Sequence, residues 1–359
     1  MILTYKKNII YSFLKNILII SILFFSLIII LNILEEITFF KDIEVSYLMP
    51  VYLTFLNSFS ILFEIFPFIF LIGTMFFFIE TLEKNELVIY KSNGVSNIKI
   101  ISVITGTTFL VGIFLILIFY SISSNLKFLY LEMKTDYTQD GKYLAVITAN
   151  GLWIKDHSDG NINIINADNI TNKDLNEVII SQFDDEYNFL RLIDVKKINI
   201  ENKIWLIKDY KVTENNMTTK SKKIIRLKTN FDAERISTLF SNLTSLNLIK
   251  LNKLKNDYRS LGYSTTEINS HLLNVYLYPV YLSIMICIAS ILMLNIGHNK
   301  PKIFYIIAGI LISVIVYYIN YLFNVLIENN KIPSMFSVWF PHFLLLLICL
   351  VGLVRINEK

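Results

Sequence analysis

The residues best placed to do chemistry in this chain are Glu80, Glu83, Lys84, Glu86 and Lys91, which stand in the stretch ETLEKNELVIYKSNGVSNIK from Glu80 to Lys99. Acids and bases at that spacing, with Leu82, Leu87, Val88 and Ile89 among them, describe an amphipathic helix over Glu80 to Lys91, which Asn93-Gly94 can end. Such groups pair with a partner's charges or with water; they do not make bonds. Spacing alone fits both a docking handle and a solvated loop helix. The reactive residue types elsewhere are dispersed. His157, His271, His298 and His342 have no Cys or His partner at ligand spacing, so no metal site is expected, and the last three read as interfacial or bundle-satisfied. Cys287 and Cys349 lie in apolar runs and read as small core hydrophobes. There is no Gly-rich phosphate loop followed by Lys and Ser or Thr, and no G-x-S-x-G turn. No catalytic residue and no cofactor is expected, and the chain is not predicted to be an enzyme by itself.

The elements that must position the charged stretch are membrane spans. Of 359 residues, 54% are hydrophobic and only 17% charged, against about a quarter charged in ordinary soluble domains. Ile17 to Leu34 carries no charge, exceeds a signal-peptide core and is followed by no small-residue cleavage site, so it reads as a retained helix. Glu35 to Glu44 is a polar connection. Ser46 to Ile79 is apolar apart from Glu64, and Ile100 to Leu126 is uncharged. Leu272 to Gly297, Ile303 to Ile327 and Ile332 to Val354 complete six spans, three on each side of a polar insert.

The insert holds 17 Lys and Arg and 17 Asp and Glu between Ser124 and Ser245. Balanced charge lacks the basic excess that nucleic acid requires, so no nucleic acid is expected as a partner. Orientation follows from the short connections. With the N-terminus inside, the inner segments hold Lys6, Lys7, Lys15, Lys84, Lys91, Lys99, Lys300, Lys302, Arg355 and Lys359, whereas the outer loops hold Lys41 and Lys331. Positive residues stay on the cytoplasmic side, which places both termini there and the insert in the periplasm of a bacterial cell. Within the insert, Tyr143 to Thr148, Gly151 to Lys155 and Asn161 to Ile165 read as strands, the last two joined at His157-Ser158-Asp159-Gly160. Leu190 to Ile200 and Lys203 to Val212 read as a hairpin around Glu201-Asn202, with a further strand over Lys222 to Lys228. Leu246 to His271 reads as a helical stalk, broken at Gly262 and restarted at Ser264-Thr265-Thr266-Glu267. Three regions result: residues 1–123 with helices one to three and the charged segment 80–99; residues 124–245, all β; and residues 246–359 with the stalk and helices four to six.

The segment E-L-V-I-Y-K-S-N-G-V-S, Glu86 to Ser96, resembles the cytoplasmic coupling segment of the lipopolysaccharide export permeases, the LptF/LptG family. Lys91 stands where that family often has Arg, Gln or another polar residue, and Ser92-Asn93 replace smaller ones. Phe66 to Gly73, F-P-F-I-F-L-I-G, resembles the family's proline and glycine pattern at the turn into the second helix. Asn150 to Asp156, N-G-L-W-I-K-D, is similar to the opening of the periplasmic domain in the LptG branch, Lys203-Ile204-Trp205-Leu206 to its later Trp strand, and Lys331 to Pro333 with Phe340-Pro341 to its last span.

The resemblance implies an α+β membrane protein of six transmembrane helices, three before and three after an inserted periplasmic β-jellyroll domain, in the bacterial inner membrane. It implies a permease subunit, most like LptG, that pairs with the companion permease LptF, two copies of the ATPase LptB, and LptC, and that carries lipopolysaccharide. Glu86, with Glu83, Lys91 and Gly94, would couple to the ATPase. Lys41, just past the first helix, would meet a substrate phosphate or else belong with Glu35, Glu36, Asp42 and Glu44 to a solvated loop. Glu64 is either a substrate contact or a protonated or interfacial Glu near Pro67. Lys220, Lys222, Lys223, Arg226 and Lys228 face substrate phosphates or guard a solvated strand edge. The rival from another class is an anchoring or assembly protein whose β domain binds a periplasmic partner and which transports nothing.

Overall fold

A computed structural model describes residues 2–135, 137, 152–158, 160–171, 173–214, 217–233, 235–236, 242–260, 263–295, 301–328 and 332–357. The expected strand at 143–148, the motif start at 150–151, and Gly262, His298 and Lys331 lie outside them. The chain divides into two compact units, residues 1–126 with 266–359, and residues 127–265.

The first unit is helical. Its elements are α1 (Ile2–Phe39), α2 (Leu48–Glu83), α3 (Glu86–Ser92) and α4 (Asn97–Phe114), then a π-helical turn (Leu115–Phe119) leading into α5 (Tyr120–Thr135), whose far end enters the second unit. After the insert come α7 (Thr266–Leu294), α8 (Lys302–Glu328) and α9 (Ser334–Asn357); α6 (Leu248–Ser260) belongs to the second unit. Six segments are long and apolar enough to cross a membrane: Tyr5–Phe39, Leu48–Glu83, Asn97–Thr135, Thr266–Leu294, Lys302–Ile327 and Ser334–Ile356. All six expected spans are present. A span needs about 20 residues, and these run from 23 to 39, so the longer ones project beyond the hydrocarbon.

Helices α2 and α7 form the centre of the bundle, with Leu53, Ile69, Leu71, Phe78, Leu282 and Ile286 fully buried. Helices α1, α8 and α9 lie outside and expose Leu18, Ile22, Leu311, Ile315 and Val351. Apolar side chains all round a helix are stable only in lipid or against another protein. At Gly112 the backbones of α4 and α7 come close together: a Cβ there would stand 2.8 Å from Pro279 Cα. The F-P-F-I-F-L-I-G stretch is not a turn: Pro67 lies inside α2. Pro67 has no N–H to give the Phe63 carbonyl four residues back. The Tyr278 hydroxyl of α7 donates to that carbonyl instead, at 2.5 Å, and the break in the ladder is filled from a neighbouring helix. Glu36, expected in a solvated loop, is 1% exposed, because α1 continues to Phe39 and turns that side chain into the bundle.

The two described histidines of the bundle are satisfied internally: His271 Nε2 lies 3.0 Å from Tyr120 Oη, and His342 Nδ1 lies 2.8 Å from the Val338 carbonyl. Cys349 is buried in the bundle and Cys287 is partly buried there.

The second unit is built on antiparallel strands β1 (Leu152–Ser158), β2 (Asn161–Thr171), β3 (Asp174–Asp184), β4 (Phe189–Asn199), β5 (Ile204–Ile207), β6 (Tyr210–Glu214), β7 (Met217–Ser221) and β8 (Ile225–Lys228). Six form one sheet in the order β1-β2-β3-β4-β6-β7, and β5 pairs with β8 in a second. The expected β1–β2 turn is present, with Ser158 opposite Asn161 and Gly160 at φ 73°. The expected hairpin around Glu201-Asn202 is not. Asp209, at φ 49°, divides the 203–212 stretch into β5 and β6, so β4 pairs with β6 while β5 leaves for β8. Asp tolerates that left-handed turn because its short side chain can bond locally. Trp205 of β5 is fully buried and donates its indole N–H to the Phe231 carbonyl at 3.1 Å.

Strand β3 runs through the centre of the large sheet, yet its sequence does not alternate cleanly. Its inward residues are Leu175, then Val178 and Ile180, because Glu177 at φ 48° switches the parity. A 3-10 turn (Leu243–Ser245) and helix α6 (Leu248–Ser260) end this unit. Leu251 and Leu254 are buried as a stalk face requires, whereas Ile249 is 81% exposed.

Candidate coupling segment

The charged stretch is expected as one helix and is instead two. Helix α2 ends at Glu83, Asn85 adopts φ 57° and ψ 16°, and α3 begins at Glu86. Asn enters the left-handed region more readily than most residues, which lets the chain bend without a glycine. Only seven residues long, α3 is too short to hold itself in water, so burial must order it. Leu87, Tyr90 and Val95 supply that burial, each at 7–8% exposure.

The end of α3 is a Schellman motif. The Gly94 N–H donates to the Lys91 carbonyl and the Val95 N–H to the Tyr90 carbonyl, both at 3.0 Å, with Gly94 at φ 75°. The buried pair Tyr90 and Val95 is the hydrophobic contact this motif commonly carries. Ser96 then caps α4, its hydroxyl accepting from the Lys99 N–H at 3.4 Å.

Polar contacts fasten the segment to helices remote in sequence. Asn8 of α1 donates to Tyr90 Oη at 2.9 Å, and that hydroxyl donates to Glu86 Oε2 at 3.3 Å. Burial pushes the Tyr90 hydroxyl pKa up, which keeps it protonated as the donor this chain needs. Glu80 receives Lys15 at 3.2 Å, Asn16 at 2.6 Å and Lys84 at 2.6 Å. The hydrogen bond to the Glu80 carboxylate raises the Lys84 ammonium pKa above its ordinary range. Glu83 pairs with Lys302 at the start of α8, at 2.9 Å. The starts of α1 and α8 thus converge on the end of α2 and on α3.

What α3 presents outward is an apolar pair between charges. Val88 and Ile89 are 57% and 54% exposed. Lys91 is exposed beside them and Glu86 is half-buried. Two aliphatic side chains held in water on a fixed short helix, rimmed by an acid and a base, form a surface suited to a partner groove. Sequence spacing places Val88 and Ile89 in the apolar face with Leu87, and the structure separates them from it. Of the expected site residues, Glu83, Glu86, Lys91 and Gly94 share this segment. Asn8, Tyr90 and Lys302 were missed, and no local pattern marks them.

The two expected substrate residues lie elsewhere. Lys41 is exposed in the turn that follows α1. Glu64 lines a cavity of about 540 Å³ bounded by α2, α7, α8 and α9, and Lys41 is not in its wall.

A family model described as lipopolysaccharide export system permease LptF/LptG matches residues 7–355. No curated protein matches the chain.

Proposed function

The chain belongs to the lipopolysaccharide export system permease LptF/LptG family, and on that premise we propose that it is a permease subunit driven by a separate ATPase. In this reading it takes lipopolysaccharide from the outer leaflet of the inner membrane and passes it to a periplasmic bridge. Its companions are an LptF permease, an LptB dimer and LptC, and the chain itself takes the LptG place. Both termini are cytoplasmic and the β unit is periplasmic, which the distribution of Lys and Arg in the short loops supports. The β unit serves as the jellyroll that continues into the bridge.

The observation that carries the ATPase coupling is the outward face of α3, with Val88 and Ile89 exposed between Glu86 and Lys91 on a helix anchored by Leu87 and Tyr90. Closure of the ATPase dimer pushes on that face. The push reaches α4 through the Gly94 turn, α1 through Glu80 and Tyr90, and α8 through Glu83 and Lys302. Motion of packed helices against one another is an ordinary route for such a transfer. Lys41 is the contact for a substrate phosphate.

The test is co-purification of the full chain with the ATPase and the companion permease. Glu86→Lys and Val88→Asp are expected to lose the ATPase and keep the companion. Retention of the ATPase by both variants, or its absence from the unmodified chain, would overturn coupling at α3 and favour the anchoring protein.

A further inference from the structure

Three helices of the first unit carry an interior proline: Pro67 in α2, Pro279 in α7 and Pro341 in α9. A fourth interruption is the π-helical turn Leu115–Phe119 between α4 and α5. A proline removes one hydrogen bond from the helical ladder and a π turn spaces the bonds more widely, so helices bend at such places. Helices α1 and α8 hold no proline.

The four interruptions lie side by side. Tyr278, next to Pro279, donates to the Phe63 carbonyl that Pro67 leaves open, and its ring stacks on Phe63 with centroids 4.4 Å apart. Tyr281, just beyond Pro279, meets the ring of His342, which follows Pro341, with centroids 5.2 Å apart. Phe119 ends the π-helical turn and packs on Phe66 at 5.3 Å and on Phe63 at 6.4 Å between centroids. Gly112, shortly before that turn, brings the backbone of α4 against Pro279. Breaks placed without regard to one another would scatter along helices of 24 to 36 residues. Here each break touches another.

We propose that this layer is a joint, about which the segments of α2, α5, α7 and α9 remote from α3 tilt together while α1 and α8 stay straight beside them. The packed rings make the tilt common to the four helices, because a close-packed interior passes a displacement on to its neighbours. Val51, on the remote segment of α2, stands 16 residues from Pro67, ~24 Å at 1.5 Å per residue, so a tilt of ~10° displaces it by ~4 Å. The joint is built from this chain's own helices and rests on the ATPase reading only for the force that moves it.

The test places pairs of spin labels on α2 and the unbroken α8 of the full chain in nanodiscs, with Cys287 and Cys349 replaced by Ala. Val51→Cys with Leu322→Cys forms the remote pair, and Phe76→Cys with Ile307→Cys forms the pair on the α3 side; all four positions are exposed. Double electron–electron resonance is expected to give a distance distribution about twice as broad for the remote pair as for the other. Pro67→Ala, which returns an N–H to the Phe63 carbonyl, is expected to narrow the remote pair to the width of the other and to leave that other pair unchanged. Equal widths with the prolines intact, or a remote pair whose width Pro67→Ala leaves alone, overturns the joint. The comparison of the two pairs decides even if the proline variant does not fold. ATP added to the labelled chain assembled with its ATPase and companion tests the other reading: a pair on the α3 side that does not move overturns coupling, and the widths measured on the chain alone still decide the joint.

Discussion

Removing the Tyr278 hydroxyl tests how α2 tolerates a proline at its centre. Pro67 leaves the Phe63 carbonyl without a helical donor, and Tyr278 supplies one at 2.5 Å while its ring stacks on Phe63 with centroids 4.4 Å apart. Tyr278→Phe keeps the stack and deletes the donor. A stranded buried carbonyl costs about 1–3 kcal/mol in soluble proteins, whereas interhelical hydrogen bonds in membranes average about 0.6 and reach about 1.7 kcal/mol. Because Tyr278 is only 7% exposed and water is not at hand to replace it, we expect the upper part of the membrane range, about 1–1.5 kcal/mol. For a chain of this size that corresponds to a fall in Tm of roughly 2–6 °C. Pro67→Ala restores an N–H to the same carbonyl, so in that background Tyr278→Phe should cost less, with a coupling of about 1 kcal/mol. Thermal unfolding of the full chain in detergent, followed by far-ultraviolet circular dichroism, measures all four variants. An equal drop in both backgrounds would refute the account, because the hydroxyl would then be acting through something other than the carbonyl that proline orphans.

Three further outcomes follow from local geometry. Gly94→Ala places a Cβ in open space but at φ 75°, so its cost is conformational, about 1 kcal/mol; ATPase co-purification should weaken while Tm falls by only a few degrees, and full retention would remove the turn from the coupling path. Gly112→Ala meets the backbone of Pro279, with a Cβ–Cα separation of 2.8 Å, and the required shift should cost about 1–3 kcal/mol; an unchanged Tm would show that α4 and α7 separate freely. Asp184 accepts from Glu186 N–H, Asn188 N–H and Asn188 Nδ2 at 2.8–3.0 Å, and the Asn188 hydrogen bonds, chiefly that from its side chain, lower its pKa. Its folded pKa lies below the unfolded one, so the turn's contribution is complete above about pH 3.9 and fades as pH falls through the folded value. Amide exchange at Asn188, corrected for intrinsic rate, should therefore accelerate in acid, and Asp184→Asn should show no such change.

The six spans were legible because each is a predominantly apolar run of 18 or more residues carrying at most one charge, the single case being Glu64 in the second, a pattern that suits a bilayer and not a soluble core. The β character of the insert was legible from turn residues and alternation, yet its central strand was not, since the parity switch at Glu177 erases the period from which strands are read. The hairpin around Glu201-Asn202 failed for a related reason: Asp209 bends the chain within what reads as one strand. In the candidate coupling segment the charges, the apolar face and the Gly94 stop were all visible. The bend at Asn85 was not, because Asn in the left-handed region looks the same in sequence as Asn in a helix. Asn8, Lys302 and Tyr278 were beyond reach altogether. Each acts on a residue tens to hundreds of positions away, and helix periodicity says which face is apolar without saying which helix covers it.

The break at Asn85 and the Schellman turn at Gly94 give the segment mechanical sense. A continuous helix from α2 through Lys91 would project Val88 and Ile89 along the α2 axis, tethered at one end only. Two left-handed residues instead fold α3 back, and Leu87, Tyr90 and Val95 pin it. A seven-residue helix held in this way has little freedom to absorb a push by fraying, since its order comes from the contacts that pin it and not from its own hydrogen bonds. A force on Val88 or Ile89 must then displace the residues beneath, and those reach α1 through Asn8 and Tyr90. Truncating the pins should uncouple grip from motion. Tyr90→Phe keeps the buried ring and removes both hydroxyl contacts, so the ATPase should still bind while stimulation of its hydrolysis by lipopolysaccharide falls. Loss of binding and stimulation together would mean that Tyr90 shapes the docking face itself and is not the link beneath it.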